Sequence, residues 1–237
     1  MIRDRLFDCS PYDGFDPAPY PEDLQGWGSH HPLLAEAIQV VRPRLVCEVG
    51  SWKGRSAINM ARAVKQLGLD TEIVCVDTWL GSPEHWLKMD PAWYDSLRIR
   101  NGLPQLYYTF LANVVRAQLS DVITPFPNTS ENAAAIFRHL DVKFDLIYLD
   151  AAHQYEAVKR DLNIYYDLLA DDGLMIGDDY IDWAEVTRAV DDFAIERRLK
   201  IFGQRGKYVL PKGGITAGIV LSRNIVEFTN QPGPAGG

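Results

Sequence analysis

A chain of 237 residues, 47% hydrophobic and 24% charged, has room for one sizeable core, and its net charge of −8 excludes a surface built chiefly to grip a phosphate backbone. The apolar runs are strand-sized, the N-terminus (M-I-R-D-R-L-F-D-C) lacks the apolar stretch of a signal peptide, and Cys9, Cys47 and Cys75 are too few and too scattered for a disulfide framework. A cytoplasmic protein is expected, with no nucleic-acid or membrane partner.

Residues 1–31, rich in Pro, Asp, Tyr and Gly, read as an irregular arm. A helix opens at Pro32 and runs through P-L-L-A-E-A-I-Q-V-V, with proline suited to its first turn. The strand L-V-C-E-V ends at Gly50, and a helix follows through S-A-I-N-M-A-R-A-V. E-I-V-C-V-D is the second strand, D-V-I-T-P-F the third, and A-A-A-I-F-R-H-L the helix after it. The fourth strand, F-D-L-I-Y-L-D, precedes the helix Y-E-A-V-K-R-D-L-N-I-Y-Y-D-L-L; the fifth, G-L-M-I-G-D-D, precedes A-E-V-T-R-A-V-D-D-F-A. Two further apolar runs, K-Y-V-L-P and T-A-G-I-V-L-S-R, leave little space for a helix between them and suggest an antiparallel hairpin at one edge. Residues 226–237, ending in Q-P-G-P-A-G-G, read as a disordered tail. Alternating β and α, with strands apolar on both faces, predicts an α/β fold: a doubly wound, mostly parallel sheet in one domain over residues 32–225.

One stretch breaks the rhythm. About forty residues separate the second strand from the third, far more than a crossover helix needs, and they carry Trp79, Trp86, Trp93, Tyr94, Tyr107, Tyr108 and Phe110. An aromatic-rich insert over about residues 80–110 serves either as a lid or substrate wall, or as extra helices with a small core or an oligomer contact.

In open α/β sheets ligands bind beyond the carboxyl ends of the strands. Here those ends read E-V-G-S-W-K-G-R-S, Asp77, Asp150 and Asp178-Asp179. Gly50 and Gly54 permit a tight turn close to a ligand, but Trp52 stands where a dinucleotide fingerprint requires glycine. Glu48 before the turn repels a diphosphate and suits a cationic ligand such as the sulfonium nucleoside S-adenosylmethionine. Asp77 is placed to accept from ribose hydroxyls. Asp150, Asp178 and Asp179 gathered at one rim repel one another unless something cationic sits among them; Mg²⁺ is the expected ion, helix capping the alternative. His153, on the loop after Asp150, is a candidate general base, or else a cap for the next helix. His30 and His31 lie in the arm, within conceivable reach of the same pocket.

The order E-V-G-S-W-K-G-R-S, V-D-T-W-L-G-S, L-D-A-A-H-Q-Y-E-A-V-K-R-D-L and G-D-D-Y resembles the class I O-methyltransferases of antibiotic sugars, the macrocin and mycinamicin enzymes. The resemblance runs over roughly residues 25–225 and implies a seven-stranded sheet. It implies S-adenosylmethionine contacts at Glu48, Gly50, Ser51, Gly54, Ser56 and Asp77, with Ser130 near the adenine. It also implies Mg²⁺ on Asp150, Asp178 and Asp179, and a base at His153. Catechol O-methyltransferase is similar in outline, with an Asp-Asn pair and a Lys at the corresponding places. The insert and the arm depart from the family, and those are the regions that set its substrates.

The expected activity is therefore methyl transfer to a hydroxyl of a small sugar-like or phenolic molecule. A nicotinamide-dependent oxidoreductase and a non-catalytic S-adenosylmethionine-binding protein are the alternatives. Aromatic residues in the arm and insert point to homo-oligomer contacts.

Overall fold

In the computed structural model, residues 1–29, 31–204, 206–213 and 226–228 are described. The sheet grows outward from β1 (Leu45–Val49), which pairs in parallel with β2 (Glu72–Asp77) on one side and β4 (Phe144–Leu149) on the other. β3 (Ile123–Pro127) lies beyond β2, and β5 (Leu169–Gly177) beyond β4, both parallel. A hairpin, β6 (Ile201–Gln204) and β7 (Lys207–Pro211), follows, with β7 set antiparallel against β5. β8 (Val226–Phe228) closes the order β3-β2-β1-β4-β5-β7-β6-β8. The chain builds β1, β2 and β3 in one direction and then jumps back to β4, so the order reverses between β1 and β4. A crevice opens at such a switch point, beyond the strand ends.

The period of two along each strand sorts side chains into two layers. Cys47, Val49, Ile147 and Leu149 face one core with α7 (Ser130–His139), α8 (Tyr155–Tyr166) and α9 (Ala184–Arg197). Val46, Leu146 and Tyr148 face the other, with α2 (Pro32–Val41), α3 (Arg55–Gln66) and α6 (Leu106–Arg116). Helix starts follow local chemistry. The side chain of His31 accepts from the Leu33 amide ahead of Pro32, and Thr129 accepts from Asn132 ahead of α7. Among the described residues no helix is long and apolar enough to cross a membrane.

Four expectations are refined. The expected mostly parallel sheet with its antiparallel edge is present, and a short eighth strand, β8, is added where a disordered tail was expected to begin. The partner of K-Y-V-L-P in the hairpin is β6; T-A-G-I-V-L-S-R lies outside the described residues, as does His30. The insert also divides. α6 is an ordinary crossover helix whose Phe110, Leu111 and Val114 enter the core, while only α4 (Pro83–Trp86) and α5 (Pro91–Ser96) are added at the sheet's end. The arm is less irregular than its composition suggested. It holds a one-turn helix, α1 (Arg3–Leu6), tied down by the Ile2 and Arg3 amides donating to Glu72.

Gly50 marks a close approach between the turns that follow β1 and β4. Its φ is +86°, and a Cβ there would lie 1.9 Å from the Asp150 carbonyl oxygen. Gly68 has φ +60° with nothing within 4 Å of its missing Cβ, so it isolates backbone strain from contact. Gly68→Ala is expected to lower unfolding free energy by about 1 kcal/mol, and Gly50→Ala by several times that or to abolish folding. Equal losses in urea unfolding would show that the close approach carries no weight.

Candidate active site

A cleft of about 610 Å³ opens at the carboxyl ends of β1, β2, β4 and β5. Its floor is the turn after β1, and Asp77 shapes that turn. One carboxylate oxygen accepts from the Ser51 and Trp52 amides, both at 2.9 Å, and the other from the Trp79 amide at 2.7 Å. Burial pushes the Asp77 carboxyl up, opposed by the amides of Trp79, Trp52, Ser51 and Thr78. Much of its acceptor capacity is thus spent on the protein. The turn holds Trp52 at φ +48°, with its indole N–H donating to Gln25 of the arm.

Gly50, Ser51, Ser56, Asp77 and Ser130 line the cleft. Glu48 and Gly54 are not among its lining residues. Strand alternation turns Glu48 toward α3, where it is fully buried and accepts from the hydroxyl of Ser56 and the thiol of Cys75. Burial raises its pKa. Gly54 begins α3 at φ +86°, and a Cβ there would meet the Phe110 ring at 2.9 Å, so packing by itself calls for glycine here. At the far end, the Ser130 hydroxyl donates to Asp161 at 2.7 Å and its carbonyl accepts from Tyr165 at 2.9 Å.

The three rim carboxylates do converge. The Tyr148 hydroxyl lies 3.0 Å from Asp150 Oδ2 and 2.9 Å from Asp178 Oδ2, and Asp179 Oδ2 lies 3.1 Å from His153 Nε2. They do not cap the helices that follow: the residues preceding α8 and α9 are Gln154 and Trp183. Burial, then Asp178 and Asp179, push the Asp150 carboxyl well above the usual range, against the pull of Lys207.

That lysine was not foreseen from the sequence. Lys207 Nζ contacts Asp178 Oδ2 and lies 2.9 Å from the Tyr148 hydroxyl, with 1% of the residue exposed. The donor set is therefore a poor fit for Mg²⁺. A divalent ion about 4 Å from an ammonium would meet a repulsion on the order of 8 kcal/mol at an effective dielectric near 20. Among the described residues no group of three or more His, Cys, Asp or Glu is arranged to hold a metal ion.

His153 lies on the cleft wall with its ring stacked on Trp183 at 4.3 Å and 7°. Nε2 faces Asp179, which leaves Nδ1 as the ring's other nitrogen. A second imidazole went unnoticed in the sequence. His85, from α4, lines the cleft and packs on Trp52 at 4.6 Å. Its Nδ1 accepts from the Ser82 amide, which leaves the proton on Nε2, and that buried atom has no hydrogen-bond partner among the described residues. Burial lowers its pKa, so it stays neutral and offers a donor rather than a base. His31 caps α2 and is not among the lining residues.

The arm and the insert form the mouth. Asp23 binds Lys53 at 2.8 Å and Arg98 at 3.3 Å, and Asn113 donates to the Asp23 carbonyl. Trp27 then meets Trp52 at 6.2 Å and Trp93 at 6.1 Å. Gln154 donates to Glu84, joining α4 to the loop that carries His153.

Residues 47–180 match the profile of a family described as a methyltransferase domain. A curated relative, the uncharacterized protein y4gI of Sinorhizobium fredii, is 27% identical over 135 residues, covering 57% of this chain; the chain spans only 13% of that protein's length. Among solved structures, the O-methyltransferase NovP superposes with a TM-score of 0.60 at 17% identity, covering 78% of this chain and 80% of its own. The O-methyltransferase from Bacillus cereus in complex with SAH gives 0.54 at 18% identity, covering 82% and 86%. At such identities these likenesses speak for the fold. The nicotinamide reading gives way to the profile match, which covers more than half of the sequence: the chain belongs to the methyltransferase domain family.

Proposed function

We propose that this domain transfers a methyl group from S-adenosylmethionine to a hydroxyl of a small molecule, sugar-like or phenolic, with His153 as general base. The observation that carries the proposal is the Asp179–His153 pair, set on the cleft wall and steadied by Trp183. The finer likeness to the macrocin and mycinamicin enzymes belongs to the same proposal, supported by D-A-A-H-Q-Y and G-D-D-Y. NovP and the B. cereus O-methyltransferase share the fold and extend the reading to oxygen acceptors.

S-adenosylmethionine would supply a methyl group on a positive sulfur, an electrophile that needs no further activation. The acidic strand ends suit that charge, and Trp52 in place of glycine disfavours a diphosphate. Gly50, Ser51, Ser56 and Ser130 are the cleft-lining contacts assigned to it, with Asp77 setting the turn and Glu48 and Gly54 supporting it from beneath. The Ser130–Asp161 pair marks the adenine end.

At the other end His153 Nδ1 takes the hydroxyl proton as the oxygen–methyl bond forms and the sulfur–methyl bond breaks. Asp179 stabilises the resulting imidazolium through Nε2. His85 supplies a neutral donor, and Trp27, Trp52 and Trp93 present ring faces to an acceptor with an apolar or planar side. Mg²⁺ on Asp150, Asp178 and Asp179 is left out of this scheme because Lys207 already contacts Asp178.

Calorimetric titration of the parent is expected to show binding of S-adenosylmethionine but not NAD. In His153→Ala, turnover on a hydroxylated acceptor should fall by about 100-fold or more with cofactor affinity near parental. Parental turnover would remove His153 as the base, and failure to bind S-adenosylmethionine would remove the activity.

Asp161 gives a second test. Burial raises its pKa from 3.8 to about 6, against the Ser130 hydrogen bond and Arg160. The native state therefore holds this proton more tightly than the unfolded chain, and stability declines as pH rises through that interval and stays lowered above it. Asp161→Asn, which keeps an acceptor for Ser130, should melt above the parent at pH 8. The advantage should be on the order of 2 kcal/mol and vanish toward pH 4. A difference that does not change with pH would contradict the raised pKa.

A further inference from the structure

Lys207 has no part in the chemistry above, yet its ammonium is buried at the centre of the acidic rim. Burying an ammonium is unfavourable unless opposite charge and hydrogen bonds surround it. Here Asp178 pairs with it, the Tyr148 hydroxyl lies at 2.9 Å, and the Tyr148 ring centroid at 5.1 Å. The topology fixes this arrangement. β7 runs antiparallel to β5 with Tyr208 opposite Gly177, so Lys207 falls opposite Asp178 one step further on. The arm roofs the pair: a Cβ at Gly28 would lie 3.3 Å from Asp178 Oδ2 and 3.5 Å from Lys207 Nζ.

We propose that Lys207 is a built-in cation standing in for the divalent ion that the family resemblance assigns to this rim, so that methyl transfer here is independent of added metal. It balances Asp178 directly, and through the shared Tyr148 hydroxyl it fixes Asp178 relative to Asp150. Lys207 is not among the cleft-lining residues and acts through these neighbours, which makes it a positioning residue. The statement about turnover rests on the methyltransferase reading; the statement about metal affinity does not.

The test uses the whole chain with Mn²⁺ as the probe, its free concentration read by electron paramagnetic resonance. The parent is expected to show no saturable site below millimolar Mn²⁺. Lys207→Met, which empties the position of charge but keeps its bulk, should gain a site at least about tenfold tighter, removed again by Asp178→Asn in the same background. A purely structural lysine would change stability without creating a metal site. The proposal is overturned if the parent binds Mn²⁺ at micromolar levels with loss in Asp178→Asn, or if folded Lys207→Met gains no Mn²⁺ affinity.

Should Lys207→Met fail to fold, the parent alone still decides. Turnover undiminished in excess chelator supports the proposal, and turnover lost in chelator and restored by Mg²⁺ overturns it. Calorimetry with S-adenosylmethionine, run on the same samples, separates this result from the activity. Loss of cofactor binding would strike the methyltransferase reading and leave the Mn²⁺ comparison standing.

Discussion

The backbone of Asp150 occupies the space where a side chain at Gly50 would project, and the rest of the site is arranged around that contact. β1 and β4 are neighbours at the point where the strand order reverses, so their two turns must pass one another on the way out of the sheet. Only a residue without a Cβ, at positive φ, allows the crossing. Gly50 also donates its amide to Val76, and Asp150 donates its amide to Val49, which extends the ladder past the nominal strand ends. The turn assigned to the nucleoside and the loop carrying His153 are thereby parts of one rigid piece. Positioning of this kind is the main contribution a protein makes to a reaction whose electrophile arrives already activated.

Around that piece each buried or partly buried acid meets a compensating partner. Glu48 takes a hydroxyl from Ser56, Asp77 the amides of its own turn, Asp150 a phenol, Asp178 an ammonium and Asp179 an imidazole. The partners differ because the strand positions differ. Glu48 alternates away from the ligand side, Asp77 lies under a tight turn, and Asp178 stands across from β7. The rim is anionic, yet its charges are met by directional groups fixed before any ligand arrives, which is the arrangement that electrostatic stabilisation requires.

The layered fold was legible because it depends on local pattern: apolar strands, helix starts and the glycine turn all stand in contiguous sequence. The acids at the strand ends were legible for the same reason, since the strand's own length carries them to one edge. What escaped was set by contacts between distant segments. Lys207 opens the run K-Y-V-L-P as an unremarkable strand residue, and only the pairing of β7 with β5 brings it to Asp178. Its signal was a charged residue at the head of an otherwise apolar strand. Tyr148 was visible two residues before Asp150, on the same face, but its phenol acquires meaning only once Asp178 is beside it. His85 is a single imidazole in a segment of aromatic residues, with no spacing to mark it until the fold sets it on Trp52 at the cleft. For Glu48, nearness in sequence to the turn does not give direction: strand alternation points its carboxyl into the α3 layer, where Ser56 and Cys75 meet it.

The arm is joined to the domain by a charge rather than by an apolar patch alone. Lys53 is 2% exposed and holds Asp23 at 2.8 Å, so its ammonium depends on a partner from a segment that composition sets apart from the domain. A boundary drawn at residue 31 divides the sequence but cuts through this pair. Removing the arm would take away both the charge partner of Lys53 and its Gln25 contact, so the two segments are coupled through one ammonium. The arm is thus tied to the fold by more than its aromatic face at the mouth of the cleft, with a salt bridge behind it.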